Sequence, residues 1–224
     1  MTIPNVIPDS VIQEWQEIVD ILAEVNNAPA ALIMRIVEED IEVFAASRHL
    51  DNPYRLGEKE RLIGSGLYCE TVIKTKKKLL VPNALTDEKW KKNPDIHLGM
   101  ISYFGFPLFH PNGEPFGTIC VLDKKENHFS DITERLMMRF KNLIQHNLEL
   151  IYVNSILGEE NKKLTDYLSE IQTLREIIPI CSYCKKIRTE NGEWEQLEEY
   201  LAKHTRSAFS HGFCPECGKK HYGR

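Results

Sequence analysis

Four cysteines near the C-terminal end restrict this chain more than any other feature. Cys181, Cys184, Cys214 and Cys217 form the pattern C-x2-C-x29-C-x2-C. Two residues between cysteines let both thiolates of one tight turn face the same ion, so two such turns build a tetrahedral four-sulfur site. Pro215 fixes one φ of the second turn, and Gly218 closes it without a Cβ clash. Zinc is the expected metal for four thiolates in a closed structural site. Iron is the alternative, because the long spacer and the Cys214-Pro215-Glu216-Cys217-Gly218 turn are also rubredoxin features. The spacer argues for zinc: Glu193–His204 reads as an amphipathic helix with Trp194, Leu197, Tyr200 and Leu201 on one face. His211, three residues before Cys214, reads as an exposed polar residue. Lys185, Lys186, Arg188, Lys219 and Lys220 offset the formal -2 charge of a four-thiolate zinc centre.

Bulk composition agrees with reduced thiols. The 224 residues carry a net charge of -5, which argues against a nucleic-acid partner. No basic segment followed by an apolar run opens the sequence, and no uncharged apolar stretch is long enough to span a membrane. A cytoplasmic location is therefore expected, and there cysteines bind metal more readily than they form disulfides.

The periodicities divide the chain into an N-terminal amphipathic helix (1–26), a globular domain (15–153), a helical linker (154–178) and the four-cysteine module (179–224). Val11, Trp15, Ile18, Leu22 and Val25 recur at helical spacing after a cap at Asp9 or Ser10. Ala30–Val37 and Ile41–Ser47 read as a hairpin. Leu67–Lys74 reads as a short helix after Gly64-Ser65-Gly66, and Leu79–Pro82 as a strand. Met100–Phe109 and Pro115–Leu122 read as strands joined by the turn His110-Pro111-Asn112-Gly113. Ser130 caps a long helix through Ile132, Leu136, Phe140 and Leu143. Beyond it, Leu150, Val153, Leu157, Leu164, Tyr167, Ile171, Leu174 and Ile178 step by threes and fours, with Glu160 the polar break. That seam predicts a parallel coiled coil, hence a homodimer in which Val11–Val25 also takes part.

The run Gly64-Ser-Gly-Leu-Tyr-Cys-Glu-Thr-Val-Ile73, then Leu79-Leu-Val-Pro-Asn-Ala84, Trp90 with Asn93-Pro94-Asp95, Ile101-Ser-Tyr-Phe-Gly-Phe-Pro107 and Gly113-Glu-Pro-Phe-Gly-Thr-Ile-Cys-Val-Leu-Asp123 resembles a GAF domain. The resemblance implies an α+β fold: an antiparallel sheet flanked by helices, with a small-molecule pocket on one face. A long C-terminal helix and the small four-cysteine metal module follow. The tail, Ile180-Cys-Ser-Tyr-Cys-Lys-Lys-Ile-Arg188 to Phe209-Ser-His-Gly-Phe-Cys-Pro-Glu-Cys217, resembles cysteine-rich tails of bacterial sensory and signalling proteins.

In such a fold the segment from Asn83 to Tyr103 covers the sheet. Trp90, Asp95, His97, Ser102 and Tyr103 are then the candidate ligand contacts, with Cys69 at a helix start where a thiol pKa can fall. Cys120 reads as a small core hydrophobe. GAF domains bind varied ligands, and no residue here selects one. One branch, the free methionine-(R)-sulfoxide reductases, does thiol chemistry in this pocket. Cys69 matches one of its positions, but Trp90–Tyr103 has no cysteine where others are needed. The expected function is a non-enzymatic sensor, its zinc module contacting a signalling partner. The alternatives are that reductase and a redox switch in which oxidation ejects the metal and closes Cys181–Cys184 and Cys214–Cys217 disulfides.

Overall fold

Central strand β1 (Ala30–Val37) is buried on both faces over its first five residues, so its sequence Ala-Ala-Leu-Ile-Met carries no polar alternation. In the computed structural model, which describes residues 6–175, 177–205 and 210–223 (side chains of 172–175 excepted), β1 lies between β2 (Asp40–Ala46) and β6 (Pro115–Asp123). Adding β3 (Lys59–Arg61), β4 (Leu79–Val81) and β5 (Ser102–Phe109) gives a six-stranded antiparallel sheet, ordered β3-β2-β1-β6-β5-β4.

Each face of this sheet has its own core. On one face, helix α1 (Asp9–Asn26) and the first turns of α3 (Asp131–Arg175) bring Trp15, Ile18, Leu22, Met137, Ile144 and Leu148 onto Ile33, Phe104, Phe106, Ile119 and Val121. Trp15 is fully buried, edge-on to Phe44 and Phe116 at 5.5 and 5.7 Å. On the other face, Leu32, Met34, Val43, Tyr103, Cys120 and Leu122 meet helix α2 (Tyr68–Thr75) and the segment carrying Trp90. Period-two alternation sends neighbours on β5 and β6 to opposite cores.

The predicted caps need one correction. Pro8, not Asp9 or Ser10, is the N-cap of α1, and no side chain caps it. Pro8 already has its φ near the helical value, and its carbonyl accepts from the Val11 and Ile12 amides. Ser130 behaves as predicted, its Oγ accepting from the Thr133 amide at 3.2 Å.

Helix α3 carries apolar residues on two faces. Met137, Ile144 and Leu148 are buried against the sheet. Leu143, Leu150, Leu157, Leu164 and Ile171 are exposed and stand seven residues apart. The helix continues through Gly158. Helix α3 ends at Arg175, so Ile178, the last member of the predicted seam, lies outside it. The side chain of Leu174, also in that seam, lies outside the described residues, as does Phe209 of the tail motif. Trp15, Ile18 and Leu22 of the other predicted seam serve the domain's own core, leaving Ile21 and Val25 exposed on α1.

The chain divides into two compact units after Glu159. The second contains a two-stranded ribbon, β7 (Ile187–Arg188) with β8 (Trp194–Glu195), then α4 (Leu197–His204) and α5 (Pro215–Tyr222). The predicted spacer helix therefore begins later than its apolar pattern suggests. Trp194 pairs with Arg188 across the ribbon, and Gln196 is the helix N-cap. Ile187 is the one buried residue among those described in this unit.

Candidate ligand pocket and cysteine turns

Glu70 fixes the loop ahead of α2. Its carboxylate accepts from the amides of Gly64 (2.6 Å) and Gly66 (2.9 Å) and pairs with Lys74 at 2.6 Å. Gly64 and Gly66 have φ of 79° and 77°, a region costly for residues with a Cβ. Burial works against the ionised form of Glu70, but these donors outweigh it and hold its pKa down to about 2. The Asn93 side chain joins the loop to the next segment, its Nδ2 donating to the Gly66 carbonyl at 2.8 Å. Asn93 also caps a short 3-10 helix, Pro94–Leu98, by accepting from the Asp95 amide at 2.9 Å.

Between this cover and the sheet lies a cavity of about 540 Å³. Its walls are mainly apolar, with Leu32, Met34, Ile41, Val43, Leu67 and Leu122 among them. Asp95 is buried and its Oδ1 accepts from the Tyr54 hydroxyl at 2.7 Å, 41 residues away in sequence. Burial, together with the negative field of Glu60, raises the Asp95 pKa to about 6 despite the Tyr54 hydrogen bond. Burial likewise pushes the Tyr54 phenol up, with Asp95 adding to it.

Four of the six predicted pocket residues line this cavity: Asp95, His97, Tyr103 and Cys69. Trp90 and Ser102 do not. Trp90 is buried beside Tyr68, ring centroids 5.2 Å apart, and closes the core behind the pocket. The Ser102 hydroxyl sits between the carbonyls of Pro82 and Lys125 and accepts from the Asn127 amide, tying three chain segments together. Cys120 corrects the sequence reading in the other direction: it is buried in the core as expected, yet it also faces the cavity. Tyr54 and Thr118 were missed. Tyr54 sits in an irregular segment with no periodic signal, and Thr118 looked like any β-branched strand residue.

Asp95 makes stability depend on pH. The folded state keeps its proton up to about pH 6, whereas an unfolded carboxyl releases it near 4. Folded protein therefore binds more protons between these values, and stability falls as pH rises from about 4 to 6, staying lower above. Asp95→Asn keeps an acceptor for Tyr54 and removes the charge. The variant should be more stable than the parent at pH 7.5 by about 2 kcal/mol and near it at pH 4. Thermal unfolding from pH 4 to 8 checks this, and parallel profiles for the two proteins contradict it.

The tail cysteines form two similar turns. Cys181 Sγ accepts from the Cys184 amide at 3.5 Å, and Cys214 Sγ from the Cys217 amide at 3.5 Å. These amides hold both thiols below the usual range. Lys185 takes φ 60° to close the first turn, and Cys214 caps α5 with Pro215 at its first position. Sulfurs that accept backbone N–H bonds in this way suit thiolate ligands of zinc. Among the described residues, no three His, Cys, Asp or Glu side chains converge as a metal-ligand set.

The GAF domain family model matches residues 13–149, which is the sheet, its flanking helices and the pocket. The chain belongs to the GAF domain family. Solved GAF structures share its fold. One is the GAF domain of an Acinetobacter phosphoenolpyruvate-protein phosphotransferase, at 17% identity and TM-score 0.50, covering 66% of this chain and 86% of that one. A methyl-accepting chemotaxis protein fragment matches at 14% identity and TM-score 0.52, covering 64% and 96%. Free methionine-R-sulfoxide reductase from Neisseria meningitidis, solved with its substrate, matches at 9% identity and TM-score 0.52, covering 64% and 80%. At these identities the GAF likeness concerns the fold. No curated protein matches the chain. Among the described residues, no helix is long and apolar enough to cross a membrane.

Proposed function

We propose that this GAF protein is a dimeric, non-enzymatic sensor in which a small molecule held against the sheet acts through α3 on a zinc-binding tail that contacts a signalling partner. The observation that carries the reading is the cavity of about 540 Å³, apolar along its walls and polar at Asp95 and Tyr54. Such a cavity suits a compact molecule with an apolar body and few polar groups. Only Asp95 Oδ1 is engaged by Tyr54, so the second carboxylate oxygen is available to a hydrogen-bond donor or a cationic group on the ligand. The cavity wall includes β1, β2 and β6 residues, and the opposite face of that sheet packs on α1 and α3. Ligand binding and the helices therefore share the same strands. In this reading the Cys181–Cys184 and Cys214–Cys217 turns hold the zinc, the basic residues beside them offset its thiolate charge, and the exposed Tyr183 and Phe213 are open to the partner.

The experiment is native mass spectrometry of the purified chain beside a cavity-filled Val43→Trp variant. The parent should carry a small-molecule mass, or gain thermal stability from members of a metabolite library, and the variant should do neither while remaining folded. A parent that comes through empty and responds to no library member overturns the ligand-sensing reading. The reductase alternative is favoured by one observation, that Cys69 and Cys120 face the same cavity. Turnover of free methionine-(R)-sulfoxide in a thioredoxin-coupled assay, lost in Cys69→Ser, would replace the sensor reading with it.

A further inference from the structure

The two GAF-domain cysteines meet in the cavity wall, and several donors converge on one of them. Thr118 Oγ1 donates to Cys69 Sγ at 3.2 Å, and the Tyr103 hydroxyl lies 3.6 Å from the same sulfur. The phenol reaches it by lying over Gly105, where a Cβ would stand 2.1 Å from the Tyr103 hydroxyl oxygen. Cys120 is two residues beyond Thr118 on β6 and so shares its face of the sheet. Both cysteines are free, both line the cavity, and both belong to the same buried cluster.

We propose that Cys69 and Cys120 are a redox pair, in which a small hydroperoxide entering the cavity oxidises Cys69 and Cys120 then closes a disulfide between α2 and β6. In the first step the Cys69 thiolate attacks one peroxide oxygen. The S–O bond forms, the O–O bond breaks, and the departing alkoxide or hydroxide takes a proton from water. In the second step the Cys120 sulfur displaces the sulfenic oxygen. The S–S bond forms, the S–O bond breaks, and the hydroxide leaves with the Cys120 proton as water. The dithiol loses two electrons and the peroxide gains them.

The environment divides these roles. The neighbouring Cys120, with the hydrogen bonds from Thr118 and Tyr103, holds Cys69 below the usual thiol range against the cost of its burial. Burial keeps Cys120 well above that range, so it remains the protonated partner. Thiolate character together with access through the cavity makes Cys69 the first site of oxidation.

The test is peptide mapping of the full chain after treatment with hydrogen peroxide and blocking with N-ethylmaleimide. The expected result is a Cys69–Cys120 linked peptide that disappears on reduction. Cys120→Ser should leave Cys69 as a sulfenic acid trapped by dimedone, and Cys69→Ser should leave Cys120 unlabelled. Thr118→Val should slow Cys69 labelling about fivefold, as expected for the loss of one hydrogen bond. Oxidation of Cys120 ahead of Cys69, linkage of Cys69 to a tail cysteine, or a pair that stays reduced in folded protein overturns the proposal. The inference uses the cavity of the sensor reading but not its ligand. A protein that binds a small molecule while both thiols resist peroxide overturns the redox pair alone.

Discussion

Replacing Leu157 and Leu164 with Asp should convert a dimer of this protein into a monomer, the largest change in assembly expected from two substitutions. Leu143, Leu150, Leu157, Leu164 and Ile171 recur every seven residues on α3, and all are exposed in the single chain. A strict seven-residue apolar repeat is the signature of a left-handed coiled coil, because 3.5 residues per turn keep one seam against the partner. The sheet uses a different face of the helix, through Met137, Ile144 and Leu148. The leucine seam is therefore surplus to the domain's own core, and a second copy in parallel register would cover it. Two aspartates in the seam would bury four charges per dimer without partners. The dissociation constant should rise by at least a hundredfold, about 3 kcal/mol. Sedimentation equilibrium or light scattering at micromolar concentration measures this, and a monomeric parent protein refutes the assignment.

Removing the metal should unfold the tail and spare the GAF domain. Ile187 is the only buried residue described beyond Glu159, so apolar burial contributes little to the second unit. In a module this small a structural zinc supplies most of the folding free energy, about 10 kcal/mol or more. One zinc per chain is expected, bound by Cys181, Cys184, Cys214 and Cys217. Cys181→Ser, or a strong chelator, should release it and make the segment after Arg175 sensitive to protease. The melting transition of residues 6–159 should stay in place, because its two cores involve none of these cysteines. Metal content together with limited proteolysis checks both halves. A red protein containing iron would favour the rubredoxin-like centre instead, and a metal-free tail that resists protease rejects both.

Two predicted features of the fold depended on nearby residues and were correspondingly readable. The β1–β2 hairpin was visible because Glu38-Glu39-Asp40 separates two apolar runs, and Glu38 does take φ 58° in the turn. Each C-x2-C turn closes within a few residues, so its geometry follows from spacing alone. Trp194 shows where such reading stops. Its spacing fits an apolar helical stripe, yet pairing with Arg188 draws it into a ribbon, and Gln196 caps the helix that follows. Local propensity lost there to a partner strand that periodicity could not reveal.

The sequence by itself determined the apolar strand runs, the long helix with apolar residues recurring every seven positions, and the two thiol turns, because each rests on side-chain period or spacing. Only the tertiary structure decided what the pocket contains. Asp95 gains its raised pKa from burial and meets Tyr54 across 41 residues. Cys120 looked like core from its strand and became a pocket residue because sheet order puts β6 beside β1, under α2. Ser102 looked like a ligand contact and became a backbone tie, since a buried hydroxyl is held by the carbonyls it meets. Burial and long-range contact set these roles, and neither is a property of neighbouring residues in the chain.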